Sequence, residues 1–315
     1  MAARPDPRQQ CGPVGVERGE VTASGKVGVG HGGTVRGKRH SNSKPPRRRS
    51  AACRRRKRRS ASASAPAYRD GLPPGGAPMP TDLSARIGAL DWPCLEQQLT
   101  ERGHALVQAL LDPDTCAALA ALYPHTTLFR SRIDMARHGF GQGEYQYFAY
   151  PLPEPVATLR DAFYPPLSVI ANRWHAALGL PLRYPAALAD WLARCHAAGQ
   201  RRPTPLLLQY GEGDYNCLHQ DLYGEHVFPL QVAILLSRPG ADFDGGEFVL
   251  TEQRPRRQSR AAVVQLRQGD AVIFAVHHRP AQGGRGIHRA TLRHGVSEVR
   301  CGRRHTLGLI FHDAS

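Results

Sequence analysis

The chain has 315 residues, of which 41% are hydrophobic, and a formal net charge of +16 at pH 7. No run of 18 or more apolar residues occurs, so we expect neither a transmembrane helix nor a membrane partner. The charged start lacks the apolar stretch of a secretory signal, so we expect a cytoplasmic protein.

The positive charge is concentrated in residues 1–70, which hold 18 of the 42 Lys and Arg and 4 of the 26 acidic residues, a net of +14. The other 245 residues are nearly neutral, at +2. Because the first segment contains the run Arg54–Arg59 and has no apolar periodicity, we predict a disordered basic tail over residues 1–75. Two interpretations stay open: an arm for nucleic acid or another anionic surface, and a solvated extension.

Residues 80–315 are predicted to form one domain, mainly helical from about 81 to 201. Apolar residues recur at helical spacing in four segments: 83–99 with a break at Trp92–Pro93, 113–123 with an Asp/Thr cap, 155–178, and 186–198. The segment 142–150 alternates between apolar and polar residues, which indicates an early strand.

From about residue 203 the pattern changes to short strands separated by Gly-containing turns. Two hairpins are predicted: 262–266 with 271–276 across Arg267–Asp270, and 296–299 with 304–311 across Cys301–Gly302. Short strands at nearly even spacing favour a mainly β double-stranded β-helix, that is, a cupin-like jelly roll, over a parallel β-α-β fold.

His219, Asp221 and His294 form the most informative pattern in the chain. His219 and Asp221 are two residues apart, so both point from the same side of an extended segment. With a second His they can occupy one face of an octahedral metal and leave the other face open, as in 2-His-1-carboxylate Fe(II) sites. Arg304 adds a guanidinium able to hold a dicarboxylate through two parallel hydrogen bonds, and we interpret this dicarboxylate as 2-oxoglutarate.

The second imidazole is a choice among four histidines: His277, His278, His288 and His294. Only His294 is followed ten residues later by an arginine that can hold a carboxylate, since Glu298 stands at that distance from His288. Strand alternation favours Arg304 over Arg303, because it places Arg304 on the face with the small residues Thr306 and Gly308. The other interpretation of this segment is a basic surface hairpin.

Five motifs, Y-x-x-G, H-x-D, F-x-G-G-E, H-x-V and G-x-R, occur in order as Tyr210–Gly213, His219–Asp221, Phe243–Glu247, His294–Val296 and Gly302–Arg304. With these motifs, the chain from about residue 203 to the C-terminus resembles the Fe(II)/2-oxoglutarate-dependent dioxygenases. The segments 210–224 and 307–313 are similar to a bacterial subfamily related to the AlkB-type oxygenases acting on damaged DNA.

This resemblance implies Fe(II), 2-oxoglutarate and O2 as cofactors, with His219, Asp221 and His294 as metal ligands and Arg304 on the distal carboxylate. Tyr210 would hydrogen-bond the co-substrate, and a buried structural tyrosine is the alternative. The reaction would hydroxylate a C–H bond with release of succinate and CO2, and on an N-methyl group it would end in demethylation. The helices before residue 201 would brace one sheet.

The primary substrate stays open among a damaged base, a prolyl or other protein side chain, and a small metabolite. Tyr223 and Asn216 are candidates for substrate contact, and Glu247 is expected to be structural. Two other classes remain, an inactive jelly-roll binding module and a nucleic-acid-binding protein that acts through its basic tail. The seven cysteines form no C-x-x-C motif, which indicates reduced thiols.

Overall fold

The computed structural model describes residues 82–284 and 286–315, so the basic tail predicted over residues 1–75 lies outside the described residues. The helices of this part are α1 (Leu83–Gly88), α2 (Trp92–Arg102), α3 (Pro113–Ala121), α4 (Glu154–Ala177) and α5 (Leu188–Ala197). The strands are β1 (His104–Val107), β2 (Phe129–Asp134), β3 (Gly141–Gln142), β4 (Glu144–Phe148), β5 (Leu206–Tyr210), β6 (Tyr215–His219), β7 (Leu230–Leu235), β8 (Phe243–Gly245), β9 (Phe248–Gln253), β10 (Arg260–Val264), β11 (Ala271–Ala275), β12 (His278–Gly283), β13 (Gly286–Val296), β14 (Val299–Gly302) and β15 (Arg304–Leu309).

The first three helices begin at aspartate caps. Asp82, Asp91 and Asp112 each accept hydrogen bonds from backbone N–H groups of the first turn that have no partner within the helix. The break predicted at Trp92–Pro93 is observed, because α1 ends at Gly88 and α2 begins at Trp92 with its proline in the first turn, where no hydrogen bond is lost.

The strands form two antiparallel sheets, as expected for a jelly roll. The larger sheet has the order β1-β11-β7-β15-β5-β4-β2, and the smaller has the order β10-β9-β13-β6-β3, with β12 paired to β13. A third, two-stranded sheet pairs β14 with β8. The predicted fold class, a mainly β jelly roll with flanking helices, is confirmed.

Both predicted hairpins are wrong. β10 pairs with β9 in the smaller sheet, whereas β11 pairs with β1 and β7 in the larger one. Likewise β14 pairs with β8, whereas β15 lies between β5 and β7. In each case the short Gly-containing turn carries the chain from one sheet to another instead of reversing it within a sheet.

The helices cover the outer face of the larger sheet. Phe163, Tyr164 and Leu167 of α4 are fully buried in one apolar cluster with Leu307 and Leu309 of β15. Burying a side chain of this size contributes about 1.5–3 kcal/mol, so this layer is a main source of stability. The alternate residues of β15 face the space between the sheets, as the strand parity predicted.

The region predicted to be mainly helical also supplies strands β1 to β4. The expected early strand within 142–150 is β4, and it pairs with β5. The sequence analysis did not recognise β1 and β2, which lie at the two edges of the larger sheet. Among the described residues, no helix is long and apolar enough to cross a membrane.

Candidate metal centre

Two neighbouring strands of the smaller sheet bring the predicted metal ligands together. His219 ends β6, Asp221 follows two residues later, and His294 lies opposite His219 in the register of β13. The Nε2 atom of His219 lies 3.5 Å from Oδ1 of Asp221, and Nε2 of His294 lies 3.3 Å from Oδ2. The three ligand atoms lie within 4.8 Å of one another, and no other cluster of three His, Cys, Asp or Glu with metal-site spacing occurs in the described part of the chain.

Burial and mutual charge set the pKa values of these three groups. Burial opposes ionisation of Asp221, but hydrogen bonds from His219 and His294 outweigh it and hold the pKa of the carboxyl well below its usual range. Burial lowers the pKa of His294, and the nearby His219 acts in the same direction. Burial also acts against protonation of His219. The hydrogen bond to Asp221 and the charge of its carboxylate outweigh burial and raise the pKa of His219. A charged carboxylate thus lies beside a neutral imidazole, the forms that bind metals.

The donor set fits a divalent metal such as Fe(II). Nδ1 of His219 lies 2.8 Å from the carbonyl oxygen of Cys217. Because a carbonyl only accepts, Nδ1 of His219 carries a proton, so Nε2 is the nitrogen that would give up its proton and offer its lone pair to a metal beside Asp221. Two imidazole nitrogens and one carboxylate are the ligands of non-haem Fe(II) sites with an open face.

The alternative histidines lie away from this group. His278 begins β12, with its Nδ1 atom 3.3 Å from the hydroxyl of Thr291, and its ring centre lies 3.4 Å from that of His277. His288 pairs with Ala281 at the far end of β13. The geometry therefore brings His294, and none of the other three, to His219 and Asp221.

Arg304 is a buried cation without a carboxylate partner in the described part of the chain. It is 1% exposed, it donates to the Thr306 hydroxyl at 2.6 Å, and its Nε atom has no hydrogen-bond partner among these residues. Burial lowers the pKa of its guanidinium to about 10. An unpaired buried charge costs several kcal/mol, so a site of this kind is built for an anion that completes the pair.

Tyr210 lies beside this guanidinium. It is the register partner of Arg304 on β5, and its ring centre lies 5.5 Å from Cζ of Arg304. The residue is fully buried, and its hydroxyl has no hydrogen-bond partner among the described residues. Burial raises the pKa of this hydroxyl, so it stays a donor at neutral pH.

One cavity of about 180 Å³ joins these groups. The three ligand residues, Arg304 and Tyr210 all line it, and most of its remaining wall is apolar. Asn216 and Tyr223 also line it, but the hydroxyl of Tyr223 is engaged by Asp221 at 2.5 Å. Glu247 lies outside the cavity lining, and its carboxylate accepts a hydrogen bond from Ser297, which agrees with the structural role expected for it.

The sequence analysis missed Gln231, which lines the same cavity. Its Nε2 atom lies 2.9 Å from Oδ2 of Asp221 and 3.2 Å from Nε2 of His294. The available signal was a polar side chain within the apolar run 228–236, since an amide in a buried strand needs a partner.

Solved structures similar to this chain include a Pseudomonas putida prolyl-4-hydroxylase, with 15% identity, a TM-score of 0.39, and coverage of 71% of this chain and 99% of that one. Another is a 2OG-Fe(II) oxygenase family oxidoreductase from Burkholderia pseudomallei, with 16% identity, a TM-score of 0.43, and coverage of 72% and 94%. These likenesses are too distant to bear on substrate or cofactor.

The sequence comparisons are much stronger. "Uncharacterized protein Rv2227" of Mycobacterium tuberculosis (strain ATCC 25618 / H37Rv) is 53% identical over 168 residues, which are 53% of this chain and 72% of that protein. Residues 143–314, more than half of the chain, match the model of the family Oxygenase-NA, described as "Oxygenase, catalysing oxidative methylation of damaged DNA". The chain therefore belongs to the Oxygenase-NA family of oxygenases.

Proposed function

We propose that this oxygenase uses Fe(II), 2-oxoglutarate and O2 to hydroxylate a C–H bond of a damaged base in nucleic acid, with release of succinate and CO2. The observation that carries the proposal is the meeting, in one cavity, of the ligand group His219, Asp221 and His294 with the unpaired guanidinium of Arg304. A metal site alone fits many enzymes, whereas a buried cation beside it fits a co-substrate that is a dianion.

Each group has a distinct role in this reaction. The two Nε2 atoms and the Asp221 carboxylate hold the metal, which when bound supplies the activation of O2 for C–H hydroxylation coupled to decarboxylation of the co-substrate. Arg304 binds the distal carboxylate of 2-oxoglutarate, and the hydroxyl of Tyr210 donates a hydrogen bond to the same co-substrate. The apolar wall of the cavity excludes water from the reacting centre.

The rim of the cavity supports a base as the primary substrate. Phe140 lines the cavity, is 48% exposed, and stacks with His138 at 5.3 Å between ring centres. An exposed aromatic ring of this kind can stack on a nucleobase, and the family description names damaged DNA.

The cytoplasmic location stays a prediction. Cys94, Cys116, Cys195 and Cys217 are free thiols, as is usual in a reducing compartment. The basic tail, as an arm for the phosphate backbone, would serve the same substrate class.

The test uses purified protein with Fe(II) and 2-oxoglutarate and scores succinate and formaldehyde. The primary substrates are N-methylated single- and double-stranded DNA, unmodified DNA and a proline-rich peptide, with His294→Ala as the inactive control. We expect methylated DNA to stimulate succinate formation, with formaldehyde in equal amount. Stimulation by the peptide alone would overturn the substrate class, and no succinate from iron-loaded protein would overturn the oxygenase reaction itself.

A further inference from the structure

Both oxygens of the Asp221 carboxylate accept hydrogen bonds from residues outside the ligand group. The hydroxyl of Tyr223 donates to Oδ1 at 2.5 Å, and the amide Nε2 of Gln231 donates to Oδ2 at 2.9 Å. Oδ1 is also the oxygen near His219, and Oδ2 is the oxygen near His294. Each oxygen therefore has one neutral donor and one imidazole as neighbours.

This arrangement restrains rotation of the carboxylate. A carboxylate oxygen has two lone-pair directions, and the neutral donor occupies one of them, which leaves the other for the imidazole side. Turning the group about its Cβ–Cγ bond would break the hydrogen bonds from Tyr223 and Gln231 together. The plane of Asp221 is thus fixed relative to His219 and His294 by groups that do not themselves bind metal.

Gln231 links the metal centre to the opposite sheet. It lies on β7 in the larger sheet, whereas His219 and His294 lie on strands of the smaller sheet. It is 5% exposed in a strand whose other residues are buried and apolar. Because a carboxylate only accepts hydrogen bonds, the amide must turn its nitrogen towards Asp221.

Tyr223 makes the corresponding link on the other side. Its ring lies 6.1 Å from that of Tyr147 on β4, at an interplanar angle of 88°. Because a carboxylate oxygen only accepts hydrogen bonds, the Tyr223 hydroxyl is the donor in its contact with Oδ1 of Asp221. Gln231 therefore approaches Asp221 from β7 of the larger sheet, whereas Tyr223 approaches it from the loop that carries Asp221 itself.

We propose that Tyr223 and Gln231 are positioning residues that hold Asp221 in its metal-binding orientation before the metal arrives. This inference rests on the proposed function, because it requires a metal at His219, Asp221 and His294. Groups that orient a ligand through hydrogen bonds typically account for about 10–100-fold in metal affinity. Without either donor, the carboxylate gains rotational freedom that metal binding must remove.

The test measures the dissociation constant of Co(II), from its visible absorption, in metal-free protein carrying Tyr223→Phe or Gln231→Leu. Tyr184→Phe is the matched hydroxyl control, because Tyr184 donates to the Val227 carbonyl in the same loop without reaching Asp221. Gln146→Leu is the matched amide control, since Gln146 is buried in the same sheet and donates to the Tyr123 carbonyl. We expect each test variant to bind Co(II) about 10-fold or more weakly.

The two control variants should retain the wild-type dissociation constant for Co(II). The two test variants should lose Co(II) affinity although the melting temperature of the metal-free protein stays close to that of wild type. Equal weakening in Tyr184→Phe, or Co(II) affinity within twofold of wild type in both test variants, would overturn the proposal. The variant Asp221→Ala distinguishes failure of the proposed metal site from failure of the positioning role alone. If wild type and Asp221→Ala bind Co(II) equally, the metal centre itself is overturned, and the positioning role with it.

Discussion

The side chains of the metal centre lead to the first prediction. His219→Ala, Asp221→Ala and His294→Ala should each abolish succinate formation and weaken metal binding, since each removes one of three ligands. His288→Ala is the control, because His288 lies at the other end of β13, away from the ligand group. Metal content by elemental analysis and succinate release are the measurements. Retained activity in His294→Ala with loss in His288→Ala would show that the second imidazole is misidentified.

Arg304 carries the second prediction. Arg304→Lys replaces a planar fork with a point charge, so one of two parallel hydrogen bonds to the co-substrate is lost. A charge-assisted bond contributes about 1.5–3 kcal/mol, so the 2-oxoglutarate concentration for half-maximal rate should rise about 10-fold or more. Iron affinity should change little, because Arg304 is not part of the ligand group.

Arg303→Ala is the control for Arg304→Ala, because the neighbouring arginine is exposed at the start of β15. Succinate formation is titrated with 2-oxoglutarate at saturating iron in both variants. A raised requirement in Arg303→Ala, with a normal one in Arg304→Ala, would contradict the strand parity on which the assignment depends.

Site residues that stand at a fixed distance from each other along the chain could be predicted from the sequence. His294 and Arg304 were recognisable because a ten-residue interval connects an imidazole to a guanidinium in the sequence. Gln231 was not recognisable as part of the site, because its partner Asp221 lies in a different element and the contact depends on how the sheets face each other. The hydroxyl of Tyr223 contacts Asp221, a contact that the loop sequence alone did not indicate.

At the scale of elements, the turn Phe243–Glu247 covers Arg304. A Cβ atom on Gly246 would lie 2.9 Å from Cδ of Arg304 and 2.8 Å from Cγ2 of Val299, and its φ of +61° favours glycine. Gly246→Ala should therefore displace the guanidinium and raise the 2-oxoglutarate requirement, while metal affinity is retained. Gly88→Ala is the control, since nothing lies within 4 Å of its added methyl group. A normal co-substrate requirement in Gly246→Ala would show that the turn tolerates the displacement.

Helix α4 leads to a stability prediction. Arg160 is 1% exposed and donates to the fully buried carboxylate of Asp313 at 2.9 Å. Arg160→Leu removes the guanidinium partner of that carboxylate and leaves its contacts with His196 and Tyr150, so the free energy of unfolding should fall by about 3–5 kcal/mol. The exposed pair Arg173–Glu96 is the control, and Arg173→Leu should cost at most about 1 kcal/mol. Urea unfolding measures the free energy of unfolding of both variants. A similar decrease in Arg160→Leu and Arg173→Leu would contradict the expectation that burial makes the first ion pair the more important one.

The pairing of the strands was less predictable than their existence. Alternation and Gly turns located β5, β7, β11 and β15 well, because a buried strand has a local signature. Whether two successive strands pair with each other depends on packing across the molecule, and a jelly roll passes the chain between sheets. The turn at Gly269 therefore has the sequence of a hairpin but connects β10 and β11 in opposite sheets.

At the scale of the whole molecule, charge and chemistry occupy different parts of the chain. The excess positive charge precedes residue 71, whereas the candidate site residues follow residue 209 and are held by the two sheets. This division is a prediction from the sequence, in which composition indicates a basic low-complexity tail and motifs indicate the catalytic domain. Deleting residues 1–75 should therefore leave Co(II) affinity and 2-oxoglutarate turnover without primary substrate unchanged.

The same deletion tests whether the tail delivers the enzyme to nucleic acid. If the tail is an arm, its loss should weaken duplex DNA binding and flatten the salt dependence, because each lost phosphate contact removes about 0.9 from the slope of log K against log salt. Binding measured by fluorescence anisotropy from 50 to 200 mM salt, about the range in which such contacts dominate, gives this slope. An unchanged slope would contradict the arm, since 14 net charges cannot contact phosphates without releasing counterions. Loss of metal affinity on deletion would contradict the division itself, because it would make the basic segment part of the catalytic fold.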